Sequence, residues 1–169
     1  MIDIHSHIIS GIDDGSKNTE MTIKMLEMAE ESGTTDIVAT PHFMRGRFEV
    51  TYKEVIDEVE NLKKLTKENS ININIYSGQE VYYSRNILEY YNQGMIGTIN
   101  NTRYMLIEFP MLEFNIEEAI NILYELQIRG IVPIIAHPER YKQFIKNPSQ
   151  INLLIKEGML FQVNAGSIN

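Results

Sequence analysis

The sequence predicts an α/β fold built on a parallel sheet, and three observations carry that expectation. Short apolar runs alternate with amphipathic helical patterns along the whole chain. The runs are near-continuous rather than alternating, as in parallel strands covered on both faces. They recur roughly every 30 residues, the length of one βαβ unit.

The strand-like runs are 2–5, 35–40, 73–77, 104–109, 131–136 and 159–163. Between the first two, Met21, Met25, Met28 and Ala29 form a helical stripe, and Gly33 stands where a helix stop belongs. A longer pattern puts Tyr52, Val55, Val59 and Leu62 on one face with charges opposite. Residues 84–92 read as a short helix. Asn115 with Glu118 has the form of a capping box ahead of Ile116, Ala119, Ile120 and Leu123, and Gly130 follows. Asn147-Pro148 reads as an N-cap and a first-turn proline, with Gly158 as the stop. No repeat and no low-complexity linker interrupts the pattern, so residues 1–169 read as a single domain. Six strands suit an open sheet or most of a barrel, and periodicity does not choose between them.

The composition, 43% apolar and 22% charged over 169 residues, is that of a folded domain with a sizeable core. A net charge of -8 argues against a nucleic-acid partner, which would want a basic face. Carboxylates gathered round cations account for such an excess naturally. The absence of cysteine excludes disulfides, thiolate metal sites and cysteine nucleophiles. The first residues show neither a basic nor an apolar leader region. No apolar run reaches the roughly 20 residues needed to span a bilayer. The expectation is a cytoplasmic protein without membrane insertion.

The four histidines carry the functional argument. His5, His7, His42 and His137 each fall at or just past the C-terminal end of a strand run, and Glu80 and Glu108 take the same place on two more. That edge of a parallel sheet is where catalytic groups collect. His5 and His7 are spaced i, i+2, which on a strand turns both imidazoles to one face. Singly, each residue has an ordinary reading: a polar strand end, a turn histidine after Pro41, a satisfied core histidine at 137. A carboxylate set in Leu106-Ile107-Glu108-Phe109-Pro110, however, is costly to bury unless it is paired or metal-bound. Arg103 is the cation that would have to reach it. The loop Ile12-Asp13-Asp14-Gly15 offers either helix caps or a further ligand; Asp14 is preferred, but position alone does not separate it from Asp13.

Taken together, His5, His7, Asp14, His42, Glu80, Glu108 and His137 read as a centre for two or three divalent ions sharing a bridging carboxylate. Mixed imidazole and carboxylate ligands suit zinc, manganese or iron; they are too rich in nitrogen for calcium and too poor in sulfur for copper(I). Arg140 follows His137 by three, and Arg45 and Arg47 lie just past His42. Guanidinium groups hold phosphate oxygens with paired hydrogen bonds. Arg140 is the first candidate for that role and Arg47 the second, while Arg45 reads as solvated surface charge.

At this point the chain resembles the polymerase-and-histidinol-phosphatase (PHP) superfamily and, within it, the bacterial capsular and exopolysaccharide tyrosine-protein phosphatases. The segments that carry the resemblance are Met1-Ile-Asp-Ile-His-Ser-His7, Gly11-Ile-Asp-Asp-Gly15, Ile37-Val-Ala-Thr-Pro-His42, Gly78-Gln-Glu80, Leu106-Ile-Glu-Phe-Pro110, Ala136-His-Pro-Glu-Arg-Tyr141 and Gln162-Val-Asn-Ala-Gly-Ser167. The resemblance implies a distorted (β/α)7 TIM-like barrel with a trinuclear centre, commonly of manganese. On this pattern His5, His7 and Glu80 hold one ion. Glu80, Glu108 and His137 hold a second, and Asp14 and His42 the third. Arg140 contacts phosphate. The implied partner is a phosphotyrosine protein, a bacterial tyrosine kinase that regulates polysaccharide export, and a homo-oligomer is compatible with it. Family members continue past residue 169 with a seventh strand and a late Asp-x-His pair. Against that pattern, the barrel here is expected to lack its last strand–helix unit and the ligand set to be incomplete, leaving a sheet edge exposed.

The reaction expected is metal-dependent hydrolysis of a phosphate monoester without a phosphoenzyme. The alternatives are a small-molecule PHP phosphatase, such as one acting on histidinol phosphate, and a non-catalytic metal-binding or kinase-docking module. An amidohydrolase fits less well, because three arginines near the site suggest an anionic substrate.

Overall fold

The structure, a computed structural model, describes residues 1–168. The elements in chain order are β1 (Ile2–Ser6), α1 (Thr19–Glu31), β2 (Asp36–Ala39), β3 (His42–Phe43), α2 (Tyr52–Glu68), β4 (Asn74–Ser77), β5 (Glu80–Tyr82), α3 (Ile87–Asn92), β6 (Tyr104–Glu108), α4 (Ile116–Ile128), β7 (Val132–Ala136), α5 (Lys142–Lys146), α6 (Ser149–Lys156) and β8 (Leu160–Gln162). The strands form two sheets, β1-β2-β4 and β3-β5-β6-β7-β8. All pairings between these strands are parallel. The α/β expectation therefore holds.

Two of the expected strands end and are each followed by a further short strand that their sequence did not signal. After β2 the chain passes Thr40-Pro41 and resumes as β3, and after β4 it passes Gly78-Gln79 and resumes as β5. Proline has no N–H to donate to a ladder. Its carbonyl still accepts from Glu80 N at 3.0 Å, while Gly78 N–H donates to Ala39 O at 2.9 Å. These bonds carry the chain across the break into the second sheet. The two sheets thus run in chain order as one wall. Among the described residues no backbone pairing joins β1 to β8, so the wall is open and the closed barrel is not seen.

Period-2 alternation sorts the wall into an outer and an inner face. On β6, Met105 and Ile107 point outward into the main core, with Val81, Ile135 and Leu123. Leu106 points inward and packs with Ile134 and Ala136 of β7 and with Ile4 of β1. A second outer core joins Ile37, Ala39 and Ile75 to Leu26 of α1 and to Val55, Val59 and Leu62 of α2. Cover on both faces explains why the strands read as continuous apolar runs.

The helices match their patterns unevenly. The apolar face of α2 is buried as expected, and its N-terminus carries a full capping box between Thr51 and Glu54. At α4, Asn115 accepts from Glu117 N and Glu118 N, but Glu118 turns its carboxylate to Arg85 rather than back to the cap. The buried residues of α1 are Thr22 and Leu26, whereas Met21 and Met28 are exposed. Thr22 can face the core because its hydroxyl donates to Ile8 O at 2.8 Å, which hides a polar residue inside the apolar stripe. Helix α6 begins at Ser149 with Pro148 as its cap, one residue later than Asn147-Pro148 suggested.

The ring of Tyr52 lies directly on the backbone of Gly97, and its hydroxyl meets Ser77 Oγ and Asn101 N, each at 3.1 Å. A Cβ at residue 97 would overlap that ring. Gly97→Ala is expected to lower stability by about 1–3 kcal/mol in urea unfolding, the usual cost of overpacking. Gly166→Ala has open space around its Cβ and should stay within about 0.5 kcal/mol of the parent.

Candidate metal centre

The inner face of the wall ends in polar side chains at its C-terminal edge. His42 and Glu80 are register partners on β3 and β5. Glu108 follows inward-facing Leu106 by two on β6, and His137 comes directly after Ala136 of β7. A register shift in β1 between Asp3 and Ser6 marks a bulge. Bulges beside functional sites re-aim side chains. Here the shifted segment carries His5, whose N–H is taken up by Asp3 Oδ1 at 3.0 Å. The rings of His5 and His7 end 5.3 Å apart.

Glu80 is the centre of this group, with 1% of its surface exposed. Its Oε2 lies 3.1 Å from His5 Nε2, 3.2 Å from His7 Nε2 and 3.1 Å from His42 Nδ1, while its Oε1 is 2.7 Å from His137 Nε2. Glu108 stands behind, 3.6 Å from His42 Nδ1 and 3.7 Å from His137 Nε2. Asp14 reaches His42 Nε2 at 3.5 Å from the exposed loop. All seven sequence-predicted ligand candidates therefore converge.

The two aspartates left open by sequence part company. Asp13 is buried, accepts from His7 Nδ1 at 2.6 Å, and also receives Gly15 N at 2.9 Å and His42 N at 3.0 Å. It braces the site from behind. Gly15 is required there, since a Cβ would overlap His7. Asp14, with Asp13 occupied, is the one that faces the histidines.

Electrostatics express how strongly the group wants positive charge. Burial alone would raise the Glu80 carboxyl, but hydrogen bonds from His137, His5 and His7 outweigh it and hold Glu80 well below the usual carboxylate range. Glu108 is pushed up to about 7 by its burial and by the charge of Glu80. Burial disfavours a charged His7, yet hydrogen bonds to Asp13 and Glu80 prevail and push it up to about 10. Burial, reinforced by the neighbouring His7, holds His42 below its ordinary value.

The donor set fits divalent cations. Three triads have ligand atoms mutually within 4.8 Å: His5–His7–Glu80, His7–Asp14–His42 and His42–Glu80–Glu108. Among the described residues the buried His42 Nδ1 has no hydrogen-bond partner, although it faces two carboxylates, and His137 Nδ1 is likewise unpartnered. Buried polar atoms are rarely left unsatisfied without a functional reason. His137 itself adopts a left-handed backbone, φ 30° and ψ 59°. That conformation costs a non-glycine residue about 1–3 kcal/mol and is concentrated at functional sites.

A cavity of about 1090 Å³ opens over these groups, and Arg47, Phe48, Tyr82, Met111 and Arg140 line it with them. Arg47 and Arg140 are exposed and make no ion pair among the described residues, whereas Arg45 is paired with Glu49 at 2.6 Å on the surface. Arg103 does not reach Glu108; it bonds the hydroxyl of Tyr104. Sequence reasoning missed three supports. Phe48 stacks on His42 at 5.6 Å, Gln162 bonds His5, and the Tyr141 hydroxyl ties Phe109 N to Ala136 O. Of these, Phe48 carried a faint signal, an aromatic residue beside Arg47 in a short turn.

The family model "Capsular polysaccharide synthesis, CpsB/CapC" matches residues 1–169. The Staphylococcus aureus protein CapC is 39% identical over 99% of this chain, and tyrosine-protein phosphatase YwqE of Bacillus subtilis is 33% identical over 99%. The chain spans 66% of the length of each. A crystal structure from the pair YwqE of Bacillus subtilis and CpsB of Streptococcus pneumoniae, described as metal-dependent tyrosine phosphatases, superposes with a TM-score of 0.95 at 33% identity. That match covers 99% of this chain and 68% of the other.

Metal binding to the native state alone should raise thermal stability. With free manganese at 100 times its Kd, chelator-stripped protein is expected to gain about 2.7 kcal/mol, read as an upward shift of the melting midpoint. Glu80→Gln, which removes the charge shared by two of the triads, should abolish most of that shift. An undiminished shift would rule out the centre described.

Proposed function

The chain belongs to the CpsB/CapC family of capsular polysaccharide synthesis, and from that premise we propose that it hydrolyses phosphotyrosine with the help of divalent metal ions. The observation that carries this reading is the convergence of seven imidazole and carboxylate side chains on one cavity whose rim holds two arginines with no ion pair among the described residues. Relatives named tyrosine-protein phosphatases support the choice of substrate. The sequential, parallel strand order supports reading the wall as part of a distorted TIM-like barrel of the PHP type.

In this reading His5, His7 and Glu80 hold one ion. Glu80, Glu108 and His137 would hold a second, and Asp14 and His42 the third. Manganese is the expected metal, with zinc and iron suited to the same ligands. Ions bound there supply Lewis acidity, making water nucleophilic near neutral pH and offsetting charge on the phosphoryl oxygens. The chain's own residues do the rest. Arg140 and Arg47 bind the phosphate oxygens through charge-assisted hydrogen bonds. Tyr82, Phe48 and Met111 form an apolar and aromatic wall against which a tyrosyl ring can pack. Asp13 holds His7 by its Nδ1 and so keeps Nε2 turned inward. With no cysteine in the chain, no thiol-phosphate intermediate forms. The natural substrate we infer is a phosphorylated bacterial tyrosine kinase of capsule synthesis, met in the cytoplasm.

The test is hydrolysis of a phosphotyrosine peptide by chelator-stripped protein before and after manganese. Turnover should return only with metal. His42→Ala and His137→Ala should each lower kcat by more than about 100-fold while circular dichroism stays unchanged. Arg140→Ala should lower kcat/KM by about 10–100-fold, equivalent to the loss of one or two charge-assisted hydrogen bonds. Full turnover in the presence of chelator, or in both histidine variants, would overturn the assignment.

A further inference from the structure

Gln162, at the end of β8, reaches across the open side of the wall to His5 of β1. Its Oε1 lies 2.7 Å from His5 Nδ1 and 3.3 Å from the backbone N of His137, and its Nε2 donates to Asn164 Oδ1 at 3.0 Å. These contacts determine which atom is which. The backbone N–H of His137 can only donate, so the atom facing it must be the amide oxygen. An amide oxygen can only accept, so His5 Nδ1 carries the hydrogen. With Nδ1 so occupied, Nε2, the nitrogen 3.1 Å from Glu80 Oε2, is the one left to give a lone pair to an ion in place of its hydrogen bond to Glu80. The same oxygen anchors the backbone of His137 in its left-handed conformation. A single neutral amide thus sets the tautomer of one histidine and the placement of another, and those two rings stack at 5.5 Å.

We infer that Gln162 is a positioning residue for the metal centre, holding His5 as the Nδ1–H tautomer and His137 in its strained turn, and so setting affinity for the ion at His5, His7 and Glu80. The inference rests on the reading of these residues as ligands. Partners that orient a ligating imidazole through its far nitrogen typically govern metal affinity by about 10–100-fold. Asp13 plays the corresponding part for His7, but as an anion; Gln162 does it without charge. Replacing it by leucine therefore tests orientation with little change in the field of the site.

The experiment compares the wild type with Gln162→Leu and Gln162→Glu. Leucine matches the size but accepts no hydrogen bond. Glutamate restores an acceptor for both His5 Nδ1–H and His137 N–H. Manganese affinity is measured by titration calorimetry, and the tautomer of His5 by 15N shifts of its ring in the diamagnetic zinc-loaded protein. Gln162→Leu should bind manganese about 10–100-fold more weakly and lose the slowly exchanging Nδ1–H signal, with circular dichroism unchanged. Gln162→Glu should recover affinity to within a few-fold and regain that signal. Wild-type affinity in Gln162→Leu, or a glutamate variant as weak as the leucine one, would overturn the inference while leaving the metal centre standing. A wild type that binds neither metal would overturn the centre itself, and the inference with it.

Discussion

A buried carboxylate ringed by imidazoles organises this molecule. Glu80 is all but inaccessible to water, and removing an ion from water is expensive unless partners surround it. Four imidazoles do so, delivered by β1, the turn that follows it, β3 and the end of β7. Each of those segments has to stop at one level for the rings to meet. The parallel ladder provides that level, because parallel neighbours end their strands on the same edge.

The breaks in β2 and β4 follow from the same requirement. Had either strand run straight on, His42 and Glu80 would continue the line of the first sheet. Passing through Thr40-Pro41 and Gly78-Gln79, both residues instead enter the second sheet as register partners, side by side with β6. Gln79 fastens its own break: its amide donates to Val50 O at 2.9 Å and accepts from Gly97 N at 3.0 Å, which ties β5 to the loops flanking α2 and β6. The rigidity of the centre is supplied from outside it, by backbone groups that never face the cavity. Tyr141 serves likewise on the far side, clamping the ends of β6 and β7 with one hydroxyl.

What could be read in the sequence, and what could not, divides along energetic cost. Glu108 and His137 were legible because a polar side chain among Ile, Leu and Ala breaks a pattern that burial otherwise enforces. Pro41 was legible as a breaker, but the two-residue strand after it was too short to show any period. Asp13 and Asp14 could not be separated, since a loop has no repeat from which to read side-chain direction. Thr22 disguised the buried face of α1 because a hydroxyl that bonds a nearby carbonyl looks, in sequence, like a solvent-facing residue. Gln162 left no energetic trace at all. A neutral amide at a strand end is unremarkable until the structure shows what it accepts.

The contact between His5 and Gln162 joins residues 157 positions apart. At synthesis rates of about 5–20 residues per second, the histidine leaves the ribosome roughly 8–30 s before the glutamine that contacts it. The ligands do not form a local loop that could trap an ion early, as a zinc finger does. His5 and His7 come first, Glu80 midway and His137 late. On the proposed ligand set, cofactor loading would therefore belong to the finished fold rather than to its assembly, and the nascent chain would hold its first strand in place without help from metal.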